Sequence, residues 1–321
     1  MQIEHRIINR QSQPFIVADI SSNHGQDLNT AHLLIDTAKA CGVDAVKFQT
    51  YRPESMSVKE GYVENYYKYL PWKWHEELFT HCRQVGLIPF SSVFCLKGLE
   101  FLEKLGCPAY KIASFEKDHY PLLRAVGETG KPMILSNGMM NFSYLNHIDL
   151  RLPSISTAVL HCVSQYPAVP SQYHLKTLVD MRKNFGFEIG LSDHTSGTAV
   201  SIASVALGAT IIERHFTLKR DGLVDDCVSL NPKEMQYLVH SCKEVWEARG
   251  VAEYSTEGDR THLRSLWCIK DVKKGDRFSS ENVGILRPND GISATQYDNF
   301  IDKKASCDIK RGEPLHMRHL S

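Results

Sequence analysis

The sequence predicts an α/β chain: a (β/α)₈ TIM barrel followed by a small, mostly β module. Eight short β-branched or apolar runs recur within about 250 residues, and segments with helical spacing separate them. Beyond a polar stretch near residue 250 the helical periodicity stops. An open doubly wound sheet usually has fewer strands and a recognisable glycine-rich first turn, so the closed barrel is favoured.

The predicted strands are FIVADI (15–20), AVKFQT (45–50), IPFSSVF (88–94), AYKIAS (109–114), PMILSN (132–137), TAVLHCV (157–163), EIGLSD (188–193) and TIIERHF (210–216). Between the first two, TAHLLIDTAKACG reads as a helix whose Leu33, Ile35, Ala38 and Ala40 share a broad face, ended by Gly42. WKWHEELFTHCRQVG is a second such helix, ended by Gly86. After the long helix around NPKEMQYLVHSCKEVWEARG, the segment VAEYSTEGDRTH is polar and contains glycine, the composition of a linker. The expected organisation is a barrel over 1–250, a linker over 251–263 and a mostly β module over 264–321. So small a module needs something to dock on. Its turns KKGD and KRGE hint at an internal repeat, although turn chemistry alone also generates this pattern.

Of 321 residues, 42% are hydrophobic, enough for a substantial core. Lys plus Arg and Asp plus Glu both total 37, so charge gives no reason to expect nucleic acid or an anionic membrane as the main partner. Any anion site must be local. The nine cysteines are scattered without a CxxC pair, which fits reduced thiols better than a disulfide framework and lacks zinc-site spacing. MQIEHRIINRQSQ has no apolar core, and no stretch approaches the roughly twenty apolar residues of a spanning helix, so a cytoplasmic protein is expected.

Catalytic side chains of such barrels sit at the C-terminal ends of the strands. Alternation places Ala45, Lys47 and Gln49 on one face of the second strand, and Ala109, Lys111 and Ala113 on one face of the fourth. A buried lysine needs a partner, and two of them point to a phosphate or carboxylate; the alternative is a structural lysine that snorkels. Ser114 lies just past the fourth strand, and Ser136 and Ser192 could add hydroxyl donors, although each serine alone also suits a turn or helix cap. His194 and His215 close adjacent strands, about 5 Å apart in the hydrogen-bonding direction. They read either as core histidines or as an open divalent-metal site that keeps water or a substrate oxygen. His161, within its strand, reads as core. Asp19, Glu116, Asp193 and Asp225 are carboxylates near the same mouth; Asp193 could orient an imidazole or cap a helix. Asn23 and His24 could meet substrate or simply form a turn.

Seven stretches together resemble the sialic acid synthase family: FIVADISSNHGQDLNTA, GVDAVKFQTY, AYKIASFE, HCVSQYPA, GLSDHTSG, ALGATIIERHFTL and RSLWCIKDVKKGD with ILRPNDGIS. The resemblance runs in order from about residue 15 to 319. It implies a TIM barrel with an antifreeze-like (SAF) domain, and a transferase that condenses phosphoenolpyruvate with an open-chain acetamido sugar, releasing phosphate. The product would be a nonulosonic acid, of the pseudaminic, legionaminic or N-acetylneuraminic type. By resemblance, Lys47, Lys111, Ser114, Ser136 and Ser192 bind phosphoenolpyruvate. His194 and His215 hold manganese or magnesium. Glu116 and Asp19 are the catalytic carboxylates, and Gln49, Tyr166, Asp225 and Arg287 face the sugar. Arg287 comes from the partner subunit in the family, which implies a domain-swapped homodimer. Asp19 stands where the family has Glu, Ser164 where it has Asn, and Asp226 where it has His. Phe115 gives KIASFE, which resembles the pseudaminic acid synthase branch. Two alternatives stay open: a related phosphoenolpyruvate aldol synthase acting on another sugar, and a non-catalytic sugar-binding homologue.

Overall fold

The computed structural model describes residues 1–59, 68–151, 156–255 and 257–321. Eight strands form where the runs predict them, with ends that shift by at most two residues: β1 (Phe15–Asp19), β2 (Ala45–Thr50), β3 (Ile88–Val93), β4 (Tyr110–Ile112), β5 (Met133–Ser136), β6 (Thr157–Cys162), β7 (Glu188–Asp193) and β8 (Ile211–His215). All neighbours are parallel and β8 pairs with β1, so the sheet closes into a barrel. Its strands are buried on both faces, as a parallel sheet wrapped by helices requires. The helices are α1 (Leu28–Cys41), α2 (His75–Gln84), α3 (Leu96–Lys104), α4 (Tyr120–Glu128), α5 (Phe142–Arg151), α6 (Lys176–Asn184), α7 (Ala199–Ala206) and α8 (Pro232–Arg249). A short antiparallel pair, Gln2–Ile3 with Arg6–Ile7, precedes the barrel and adds Ile3 and Ile8 to its core.

Local chemistry sets the helix ends. Asp27 caps α1 by accepting from the Thr30 N–H at 2.7 Å, and Gly42 ends it at φ +84°. Asn231 and Glu234 form a reciprocal capping box around Pro232 at the start of α8. The predicted face of α1 is corrected: Leu33 and Ala40 are exposed, and the core face is Ala31, Leu34, Ile35, Ala38 and Cys41. That set follows the three- and four-residue spacing of one helical stripe, which the pair Leu33 and Ile35 does not.

The chain divides into Met1–Gly250 and Val251–Ser321, and the second unit has its own core, including Leu266, Val272, Phe278, Phe300, Ile309 and Leu315. It contains the antiparallel pair β9 (Ser265–Cys268) and β10 (Val283–Leu286). The two turn motifs meet reciprocally. Val272 and Ile309 exchange backbone hydrogen bonds of 2.9 and 2.8 Å. Asp271 accepts from the Arg311 N–H and pairs with Lys310, while Asp308 accepts from the Lys274 N–H and pairs with Lys273. Gly275 and Gly312 supply the matching positive φ angles, +90° and +88°. The repeat is therefore built into the backbone pairing as well as the turn chemistry. All nine cysteines are free, and no described helix is long and apolar enough to cross a membrane.

His75, at the start of α2, is fully buried, with Nε2 bonded to Thr50 Oγ1 at 2.8 Å. Burial pushes its pKa down to about 4; His24 is lowered to about 4 in the same way. Unfolded imidazole titrates near 6.5, so below that pH the unfolded chain takes up a proton that the folded chain refuses. The stability contribution is fully present above about pH 6.5 and is lost as pH falls toward 4, on the order of 3 kcal/mol for His75. Urea midpoints at about pH 7 and about pH 5 should therefore converge in His75→Gln relative to the unaltered chain; an equal spacing would contradict this origin.

Candidate active site

On β2, Lys47 projects into the barrel and is 3% exposed. Its Nζ lies 2.7 Å from Asp19 Oδ2, donates to Ser92 Oγ at 3.1 Å, and lies 3.7 Å from Glu213 Oε1. Burial alone would lower the lysine pKa, but Asp19 and Glu213 outweigh it and leave it raised, so Lys47 is held as the cation. Asp19 mirrors this: burial raises its pKa, and Lys47 with His215 brings it below the ordinary carboxylate value.

Lys111 on β4 is 2% exposed and less well matched. It donates to Ser136 Oγ at 2.7 Å and to the Ile112 carbonyl at 3.2 Å. Among the described residues its one ion pair is with Glu213 Oε1, at 3.6 Å. Burial lowers its pKa, and Glu213 offsets only part of that. Ser192 on β7 donates to the same Glu213 oxygen at 3.2 Å. Glu213 thus ties Lys47, Lys111 and Ser192 together, while its Oε2 is buried without a hydrogen-bond partner among the described residues. Glu213 is not among the site residues predicted above. Strand alternation could have found it, since Ile211, Glu213 and His215 share one face of β8.

The two histidines meet at this mouth with ring centroids 5.5 Å apart. His194 Nδ1 lies 2.8 Å from the Val163 carbonyl, an acceptor, so Nδ1 carries the proton and Nε2 the free lone pair. His215 Nε2 is 3.6 Å from Asp19 Oδ2, and its buried Nδ1 is 3.8 Å from Asp225 Oδ2 without a hydrogen bond. No three His, Cys, Asp or Glu side chains among the described residues converge as a complete ligand set. The pair fits an ion that takes two imidazoles and fills its other positions with water or substrate oxygen. Tyr166 stacks on His194 at 4.2 Å and meets His215 edge-on at 5.9 Å. Gln49 donates to Ser21 Oγ at 2.9 Å, and Ser21 in turn bonds Asp225, which carries the sugar-side candidates to the histidines.

Ser114 lies at the start of a 3-10 turn, Ser114–Glu116, and accepts from the Gly138 N–H at 3.0 Å. A Cβ at Gly138 would fall 2.0 Å from Ser164 Oγ and 2.6 Å from Ser114 Oγ, so only glycine allows this approach. Ser164 therefore packs at the Gly138 cradle. Glu116 is half-buried, which raises its pKa, with His119 opposing. Phe115 between them is exposed. Arg287 lies in the second unit, exposed.

Other candidates make contacts within the protein. Asp193 makes no hydrogen bond to an imidazole and is not a helix cap; it pairs with Arg214 at 2.6 Å, both side chains fully buried. Asn23 donates to the Phe216 carbonyl and Ser229 Oγ, and His24 Nδ1 accepts from the Gln26 N–H. His161 bonds the Tyr173 carbonyl, half-buried, and lines a cavity of about 150 Å³ with Cys162, Met140 and Phe185. Asp226 Oδ2 accepts from the Asp221, Gly222 and Leu223 N–H groups at 2.7–2.9 Å, pinning the loop that carries Asp225.

Residues 34–254 match the NeuB family model, and residues 264–321 match the SAF domain model. The chain is 37% identical to the pseudaminic acid synthase of Helicobacter pylori, across 94% of this chain and 96% of that one. It is 33% identical to the N,N'-diacetyllegionaminic acid synthase of Campylobacter jejuni, across 93% and 97%. Its structure resembles that of an N-acetylneuraminic acid (sialic acid) synthetase from Leptospira borgpetersenii, at TM-score 0.77 and 29% identity over 80% of this chain and 92% of that one.

Removing the Glu213 charge leaves two buried lysines undercompensated. Glu213→Gln is expected to lose about 3–5 kcal/mol, seen as a lower urea midpoint, and added phosphoenolpyruvate or inorganic phosphate should recover part of the loss. A variant as stable as the parent would show that Glu213 does not balance the lysines.

Proposed function

Because the chain belongs to the NeuB family, we propose that it joins phosphoenolpyruvate to an open-chain acetamido hexose, forming a nine-carbon 2-keto acid and phosphate. The similarity to pseudaminic and legionaminic acid synthases supports a product of those types. The observation that carries the reading is the unequal pair of interior lysines: Lys47 has a carboxylate at 2.7 Å, while Lys111 has one only at 3.6 Å. A phosphate or carboxylate beside Lys111 and Ser136 supplies the counter-charge that Lys111 lacks.

Lys47, Lys111, Ser136 and Ser192 hold the phosphoenolpyruvate, with Ser114 set beside them by Gly138. Asp225 and Gln49, linked through Ser21, orient the sugar with the Tyr166 ring. The shorter Asp19 is engaged with Lys47 and helps hold that lysine charged. The enol double bond of phosphoenolpyruvate forms the new bond from its C3 to the aldehyde carbon, while the aldehyde C=O π pair moves onto its oxygen, which takes a proton to become a hydroxyl. Water then adds at C2 with Glu116 taking one of its protons, and phosphate leaves as the C2–oxygen bond breaks and the C2 hydroxyl gives up its proton to become the ketone. A divalent cation, manganese or magnesium, held by His194 and His215 would supply electrophilic assistance at the aldehyde oxygen. Arg287 completes the sugar side from the second subunit of a domain-swapped homodimer.

Phosphate release with manganese, phosphoenolpyruvate and a panel of 2-acetamido and 2,4-diacetamido hexoses tests the reaction. Release with at least one sugar is expected, and silence across the panel would contradict it. The raised pKa of Glu116 adds a sign: a base works only when ionised, so activity is lost as pH falls through that pKa, above the usual carboxylate range. Glu116→Gln should lower kcat by roughly 10²–10⁴-fold and remove this acid limb from the pH profile; a retained limb would assign it to another group.

A further inference from the structure

The two strands that lead into His194 and His215 are also joined by side chains on the other side of the sheet. Asp193 immediately precedes His194 and Arg214 immediately precedes His215, and the two are directly opposite in the β7–β8 register. Because successive side chains on β8 alternate faces, Glu213 and His215 look into the barrel while Arg214 looks outward. Both Arg214 and Asp193 have no side-chain exposure, and Nη1 lies 2.6 Å from Oδ2.

The guanidinium reaches three more groups. Nη2 donates to the Thr195 carbonyl at 2.7 Å and to the Val228 carbonyl at 3.3 Å, and Nη1 donates to Thr195 Oγ1 at 3.4 Å. Asp193 accepts from the Thr195 N–H at 2.8 Å and from Ser201 Oγ at 2.5 Å, which ties the pair to α7. Val228 belongs to the turn that carries Asp225, since its N–H donates to the Asp225 carbonyl at 3.1 Å. One planar fork therefore binds the Asp193 carboxylate and the Thr195 carbonyl, on either side of His194, and the Val228 carbonyl of the turn bearing Asp225, all from the end of the strand bearing His215. A buried ion pair is a poor source of stability, because desolvating two charges offsets most of their attraction. A fixed fork does provide direction.

We propose that Arg214 and Asp193 form a positioning clamp that sets the His194–His215 separation from behind the barrel wall. The inference rests on the reading of those histidines as holders of a divalent cation. Direct outer partners of metal ligands are worth about 10–100-fold in metal affinity, and the clamp, which acts through the neighbouring backbone, is expected to reach the lower end of that range.

The test uses the full chain and two variants, Arg214→Lys and the paired apolar replacement Arg214→Met with Asp193→Leu. The paired replacement removes both charges together, so it leaves no unpaired ion and should fold. Manganese binding is read by calorimetry, and His194 and His215 by histidine ¹H–¹⁵N spectra of the metal-free protein. The expected result is at least a tenfold loss of manganese affinity in the paired variant and a smaller loss in Arg214→Lys. The KM for phosphoenolpyruvate should stay near the parent value, and the His194 and His215 resonances should shift while His75 does not. Parental manganese affinity with unmoved resonances would overturn the clamp. A parent that binds no manganese would overturn the metal reading alone, and the spectra would then decide the positioning claim. Should the paired variant fail to fold, Arg214→Lys, which keeps the charge and loses the fork, decides the matter by the same two readouts.

Discussion

Inside the closed barrel Lys47 and Lys111 are only 3% and 2% exposed, so their charges must be met by what the other strands place beside them. Asp19 from β1 and Glu213 from β8 do this, with hydroxyls from Ser92, Ser136 and Ser192 filling hydrogen-bond positions. Two cations face two anions, yet the match is uneven. Lys47 sits against a close carboxylate, and Lys111 shares a more distant one. The imbalance is one of distance rather than number, and an anion placed beside Lys111 would even it. The same cluster sets the histidines in their field, because Asp19 faces both Lys47 and His215.

The site then depends on an outer layer that reacts with nothing. The β8 strand alternates Glu213 and His215 inward with Arg214 outward, so one short run contributes to the charge cluster, the imidazole pair and the clamp behind it. Asn23 links the loop after β1 to the segment after β8, and Asp226 folds the Asp221–Leu223 backbone around its carboxylate. Asp226 therefore has a structural task in this chain, where the family resemblance would have placed a histidine. The exposed Phe115 and the Ser164 contact at Gly138 lie on the loops after β4, β5 and β6, where Ser114 accepts from the Gly138 N–H.

The barrel was legible because each strand is a short buried run and each helix begins at a recognisable break. Lys47 and Lys111 stood out because a cation inside an apolar strand is costly, and His194 and His215 because both end their strands. Glu213 escaped notice although it obeys the same alternation, since a lone carboxylate between Ile212 and Arg214 is easily read as half of a local ion pair. Arg214 in fact pairs across the strands with Asp193. That pairing depends on register, and a one-residue shift would turn Arg214 inward and Glu213 outward. The Leu33 error on α1 has a similar source: two apolar residues two positions apart cannot lie on one narrow stripe, and only the packing shows which one is buried. The roles of Gly138 and Asp226 lie in contacts between loops far apart in sequence, for which no local pattern exists.

The most direct measurement is a crystal structure of the chain soaked with phosphoenolpyruvate. The anion should lie within hydrogen-bond distance of Lys111 Nζ and Ser136 Oγ, with Lys47 and Ser192 at its other side and Glu213 behind it. A ligand bound elsewhere, with Lys111 still facing only Glu213, would contradict the claim that the interior lysines are arranged to receive it.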